Sequence, residues 1–211
     1  MRIPDAGELF SSESTLTAGL FSGNEAPYLI LTHLREYILS LIETLGEDYT
    51  VKNGIAIAKD ATVEEGAYLH APLIIGHGSV IRHGAYIRGS VLIAEGCTVG
   101  NSSEIKNSVI LENTALAHYN YVGDSIVGCR AHLGAGATVS NLRLDRSEVR
   151  IGPREGGIMS GMKKLGALIG DGCEIGCGAV LMPGTVIGKG ARIYPLAIAS
   201  GIIATGASVH R

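Results

Sequence analysis

The chain has 211 residues, 46% of them hydrophobic, enough for one continuous core and an appendage. Its formal charge of −3, with both signs mixed along the chain, gives neither a nucleic-acid footprint nor a polybasic membrane surface, so a small-molecule partner is expected. Thirty glycines, two Phe and no Trp are unlike a bundle or sandwich filled by large side chains, and favour small repeated turns.

Residues 1–23 lack a basic start followed by an apolar run, and no stretch reaches about 18 uninterrupted apolar residues; a cytoplasmic protein without a membrane span is expected. Cys97, Cys129, Cys173 and Cys177 include no C-x-x-C pair and are expected to be reduced thiols.

Residues 1–50 read as an N-terminal segment holding one helix. Asn24-Glu25-Ala26-Pro27 lead into Ile30, Leu34, Tyr37, Leu41 and Leu45, spaced three or four apart and closed by Gly46, which is the pattern of an amphipathic helix. The polar lead of about twenty residues gives no firm element.

Residues 51–211 read as the second domain, and from residue 57 the period becomes six. Ile57, Val63, Leu69, Ile75, Ile81, Ile87, Ile93, Val99, Ile105, Leu111 and Ala117 are successive sixth residues. Two positions before each stands a small or aliphatic residue, from Ile55 and Ala61 to Val109 and Ala115, so both sets are expected to face one interior. Such a repeat is the mark of a solenoid in which each short strand stacks on its counterpart one coil later. After Ala117 the phase slips, with Tyr121, Val127, Leu133 and Val139 next in register, and the same phase returns at Ile169, Ile175, Leu181, Ile187 and Ile193.

Between these runs, residues 142–162 are non-repetitive and read as a loop extruded from one corner. From Arg143 to Lys164 the cations Arg143, Arg146, Arg150, Arg154, Lys163 and Lys164 exceed Asp145, Glu148 and Glu155, for a local balance of +3. A solvated loop and an anion-facing one are both compatible with that charge.

A regular solenoid has little reason to break register, so the slip around His118-Tyr119-Asn120 marks a candidate site. The run His118-Tyr119-Asn120-Tyr121-Val122-Gly123-Asp124, followed by Leu133-Gly134-Ala135-Gly136 and Ser140-Asn141, resembles the acetyltransferase half of bifunctional glucosamine-1-phosphate acetyltransferase/N-acetylglucosamine-1-phosphate uridyltransferases. The likeness takes in Gly100-Asn101 and Lys106 upstream and Lys164, Ile169-Gly170-Asp171 and Gly188-Lys189-Gly190 downstream, about residues 55–205. It also resembles the archaeal-type and short stand-alone members described as UDP-N-acetylglucosamine pyrophosphorylase-related proteins.

This resemblance implies an all-β fold, a single-stranded left-handed parallel β-helix of hexapeptide repeats with three hexads per coil, behind the short N-terminal helical segment. It implies a homotrimer and an acyl-CoA-dependent N-acyltransferase with acetyl-CoA as donor, acting on an amino sugar phosphate such as glucosamine 1-phosphate in nucleotide-sugar or cell-envelope precursor synthesis. His118 matches the general base; an imidazole titrates near neutral pH and can take a proton from the attacking amine. Arg88 and Lys106 match the cations that hold the sugar phosphate. Their spacing, each directly after an inward Ile, stacks them on one face, whereas the rival Arg82 falls on another. Tyr121, Asn141 and Lys164 match further substrate contacts, some supplied by a neighbouring subunit in the family. Ala135, Cys177 and Pro195 match places where the chain passes along acetyl-CoA.

Two departures put the acceptor in question: His132 stands where the family has Asn, and the segment from Asn141 to Lys164 is longer. The uridyltransferase domain is expected to be lacking, since residues 1–50 are too short to contain it. A γ-carbonic-anhydrase-like hydratase is a rival reading, because His83 and His118 resemble that family's spacing for two zinc ligands, but Gly123 occupies the third position and Cys173 falls on an inward hexad position, so no metal is expected to be required. A non-catalytic trimeric β-helix that binds a partner is the remaining alternative.

Overall fold

A computed structural model describes residues 2–11, 14–23, 26–153 and 155–211. Asn24, Glu25 and Arg154, which entered the sequence expectations, lie outside the described residues.

The repeats build a three-sided, left-handed parallel β-helix, matching hexapeptide-repeat architecture. Face 1 stacks the strands Ile55–Ala58, Leu73–Ile75, Val91–Ile93, Ser108–Ile110, Ile126–Val127, Ala167–Ile169, Thr185–Ile187 and Ile202–Ile203, with Tyr49–Lys52 added antiparallel at one edge. Face 2 runs from Thr62–Val63 to Ser208–Val209, and face 3 from Tyr68–Leu69 to Ile198–Ala199. Each coil passes from face 1 through face 2 to face 3. Its aliphatics point into one shared core, in which Ile75, Ile81, Ile87, Ile93, Val99 and Ile105 are fully buried. Each such side chain contributes roughly 1.5–3 kcal/mol.

The register slip lies elsewhere than the hexad count places it. Ile93 pairs with Ile110, and Ile110 with Val127, so these coils are seventeen residues long where Ile75 to Ile93 takes eighteen. Ile110, Leu116 and Val122 therefore face the core, and Leu111, Ala117 and Tyr121 do not; Val109 and Ala115 are likewise displaced from the inward set. Leu111 and Val109 pack on the outside of face 1 instead.

Each short coil loses its residue at the corner between faces 3 and 1. In the eighteen-residue coil from Ile75 to Ile93 that corner uses two left-handed residues, Gly89 (φ 89°) and Ser90 (φ 51°). In the seventeen-residue coils one suffices, Asn107 (φ 44°) or Asp124 (φ 49°), residue types that tolerate this region. His118 thus sits in an ordinary hexad between Leu116 and Val122, and Asn120 points inward, its amide donating to the carbonyls of Gly134 and Ala137.

Face 1 is apolar on both sides, and a second core covers it. The helix Ile30–Ile42, entered through a single 3₁₀ turn at Pro27–Leu29, buries Leu31, Leu34 and Ile38 against the outward residues Ile74, Leu92 and Val109. The inserted segment continues the cover instead of standing off as a loop. It opens with a Leu142–Lys164 bridge, forms a small hairpin of Arg150–Ile151 with Ile158–Met159, and buries Val149 and Ile151 in the same cluster.

Polar groups pin the N-terminal segment along the corner between faces 1 and 2. Asp171 accepts from the backbone N–H of Ser11 and of Cys129 and pairs with Lys189 at 3.1 Å. Glu112 accepts from the Cys129 thiol and the Thr17 hydroxyl. Burial, followed by the neighbouring Glu112, pushes the Cys129 thiol well above its ordinary range, so it is an inert structural group.

Candidate active site

Residues two positions past the inward aliphatic of face 2 stack at the corner between faces 2 and 3. His118, Ala135, Cys177 and Pro195 occupy that position on successive coils. Backbone hydrogen bonds tie the column together, from Gly136 N–H to the His118 carbonyl, Gly178 to Ala135, and Leu196 to Cys177. The sequence-predicted base and the three predicted donor-site residues therefore share one line along the helix axis. His118 is exposed, and its ring makes no hydrogen bond among the described residues.

An open apolar cleft of about 270 Å³ runs beside the lower part of this column, lined among others by Gly134, Gly176, Cys177, Tyr194 and Pro195. Two glycines in its wall let the coils stack closely there. A Cβ on Gly176 would strike the Pro195 backbone, and one on Gly134 would reach the Cys177 backbone and sulfur. His132 also lines it, facing outward from face 2 with Nδ1 3.0 Å from Glu174 Oε2.

A second group assembles at the other end of face 3. Arg88 and Lys106 stack as expected, since Ile87 pairs with Ile105 and each cation follows. Arg88 is held by Glu104 at 2.7 Å, and that hydrogen bond is the main cause that raises its pKa. Lys106 Nζ lies 3.2 Å from Asp124 Oδ2. Gly123 stands beside Lys106 in the sheet, and the room left by its missing side chain is taken up by its neighbours: a Cβ there would come 2.6 Å from both the Tyr121 hydroxyl and Asn141 Nδ2. Burial, then the nearby Asp124, raises the Tyr121 phenol above its ordinary value, which keeps it a neutral donor; the bond to Asn141 opposes this only in part.

Lys164 is exposed and joins this group through its backbone, bridging to Leu142 while Leu165 N–H donates to the Asn141 carbonyl. Arg82 is on face 2 and pairs with Glu64, away from this corner. The chain thus brings together Arg88, Lys106, Tyr121, Asn141 and Lys164 at one corner and His118 with Ala135, Cys177 and Pro195 at the next, with the width of face 3 between them. Asp124, on which the first group centres, was missed as a site residue; it closes the His118–Asp124 run and is the left-handed corner residue of a shortened coil.

His83 lies on the same corner as His118 but two coils away, roughly 10 Å by the spacing of strands, and its Nδ1 is engaged by the Glu65 carbonyl at 2.7 Å. Among the described residues no cluster of three or more His, Cys, Asp or Glu is placed to hold a metal ion. Nor is any helix among the described residues long and apolar enough to cross a membrane.

Comparison with known proteins agrees with the repeat architecture. Residues 69–154 match the family described as the GMPPB C-terminal domain, and residues 166–198 match the bacterial transferase hexapeptide family of six repeats. A bifunctional sugar-1-phosphate nucleotidylyltransferase/acetyltransferase of Sulfurisphaera tokodaii is 37% identical over 160 residues, covering 76% of this chain and 40% of that protein. The bifunctional protein GlmU of Methanococcus maripaludis is 40% identical over 84 residues, which is 40% of this chain and 20% of that protein. This chain therefore spans well under half the length of either relative. Among solved structures, the acetyltransferase domain of PglB from Neisseria gonorrhoeae, in complex with acetyl coenzyme A, aligns with 94% of this chain and 80% of that one, at 18% identity and a TM-score of 0.35.

Proposed function

We propose that this hexapeptide-repeat protein is an acyl-CoA-dependent N-acyltransferase, with acetyl-CoA as donor and an amino sugar phosphate such as glucosamine 1-phosphate as acceptor. The observation that carries the reading is the alignment of His118 with the apolar cleft, at one edge of a face whose other edge gathers cations and polar donors. The cleft suits a thin, mostly apolar pantetheine arm, being built on two glycines and bordered by Cys177 and Pro195. A CoA thioester supplies the activated acyl group.

His118 takes a proton from the acceptor's amine as the nitrogen attacks the thioester carbon; the C–S bond breaks, and the products are the amide and the CoA thiol. Lys106, Arg88 and Lys164 favour an anionic substituent on the acceptor, and the Tyr121 phenol and Asn141 amide supply oriented hydrogen bonds. No residue is assigned to a metal.

Along face 3 the chain runs from His118 to Gly123, roughly 15 Å when extended, too far for one small acceptor to touch both edges within a single copy, which favours a site shared between copies in a homotrimer. Face 1 is already covered, leaving faces 2 and 3 to associate. Face 3 and its corner with face 2 expose Tyr68, Tyr86, Tyr119, Leu196 and Ile198, an apolar surface for a soluble monomer to leave open. Light scattering is expected to give three times the chain mass, and a strictly monomeric mass counts against the shared site.

The direct test follows thiol release from acetyl-CoA with glucosamine 1-phosphate, alongside other amino sugars. Lys106→Ala is expected to raise the acceptor KM about tenfold or more with little change in kcat, because a contact to a charge present in the ground state is lost. Wild-type protein that acylates no amine would leave the non-catalytic trimeric module as the better account.

A further inference from the structure

Three donors converge on the Asp124 carboxylate. Lys106 Nζ stands 3.2 and 3.3 Å from its two oxygens, Asn107 Nδ2 is 2.9 Å from one, and Asn141 Nδ2 donates to the other. The carboxylate is buried, with 6% of its side chain exposed. Its own backbone is fixed too, N–H to the Lys106 carbonyl and C=O to the Gly166 N–H. Asn107 Nδ2 also reaches the Leu31 carbonyl at 3.4 Å, so the N-terminal helix, two coils and the root of the insertion meet at this one group.

We propose that Asp124 is a positioning residue, which fixes the Lys106 ammonium and the Asn141 amide in the arrangement that binds the acceptor's anionic group. This rests on the acyltransferase reading above. A lysine side chain left free samples many rotamers, and ordering it on binding costs affinity; Asp124 orders it in advance. Only an acceptor-only group can take all three donors, since an amide at position 124 turns its own NH₂ toward one of them. Asp124 therefore acts through Lys106 and Asn141, and Asn107 carries the same constraint to the helix.

Asp124→Asn tests this, because Asn tolerates the left-handed backbone (φ 49°) and nearly preserves the shape. With glucosamine 1-phosphate, the acceptor KM is expected to rise about tenfold or more, while kcat and the acetyl-CoA KM stay within about threefold. In a Lys106→Ala background the same change should add less than about threefold, the sign of residues acting as one unit. A residue that merely supports the fold would shift all three constants and add to Lys106→Ala in full. An acceptor KM that is unchanged, or that falls as relief of charge repulsion alone would give, overturns the proposal. A crystal structure of the variant supplies the readout that does not depend on turnover: Lys106 Nζ and Asn141 Nδ2 are expected to leave their positions, and finding both unmoved overturns the proposal whatever the assay shows. Displaced side chains in a protein whose wild type acylates no amino sugar phosphate would defeat the functional reading alone.

Discussion

His118→Ala is expected to lower kcat for acyl transfer by about 10² to 10⁴-fold, the usual loss on removing a general base, with the fold intact. The side chain is exposed at a corner, and its ring makes no hydrogen bond among the described residues, so its removal leaves no cavity and no unpaired buried group. Steady-state thiol release across pH checks the first half and thermal denaturation the second. Retention of full kcat at every pH would remove His118 from the chemistry, whereas a large drop in melting temperature would show that the corner carries a packing role not visible in its contacts.

Gly100→Ala is expected to damage stability and activity together. The missing side chain of Gly100 points straight at the backbone carbonyls of Ala117 and Leu116 on the next coil. That coil cannot retreat, because Gly100 N–H is bonded to the Leu116 carbonyl at 2.7 Å and the ladder fixes the spacing on both sides. Overpacking of this kind costs about 1–3 kcal/mol and sometimes more. Since Ala117 immediately precedes His118, displacing it also moves the base, and a misplacement of about 1 Å can cost around 10² in rate. Gly190→Ala is the control: its backbone is left-handed (φ 65°), but nothing lies within 4 Å of the added atom. A Gly100→Ala protein that melts and turns over like the Gly190→Ala protein would contradict the close approach.

Much of the architecture was legible because a solenoid repeats its chemistry. Ile57 to Ile105 and Leu133 to Ile193 announce the coil, and Pro27 with its apolar stripe announces the helix. Legibility failed between Ile105 and Leu133. Strands of face 1 read Leu73-Ile74-Ile75, Val91-Leu92-Ile93 and Ser108-Val109-Ile110, apolar on both sides because the helix and the insertion cover the outside. With no alternation, a one-residue shift leaves an equally apolar pattern, and Leu111 passes for the inward residue that Ile110 is.

The repeat, the helix and the residue types of the candidate site can be read along the chain alone, since six-residue periodicity and the His118–Asp124 run depend only on neighbours in sequence. Folding in three dimensions set the length of each coil, shortening the corners at Asn107 and Asp124 by one residue relative to Gly89-Ser90, and hence which side chains stack. It also decided that Tyr121 faces out, that the insertion lies back on face 1, and that Asp124 gathers Lys106, Asn107 and Asn141. Those outcomes rest on contacts between residues about one coil apart, where the partners are set by stacking and by the shape of each corner, and no local pattern encodes them.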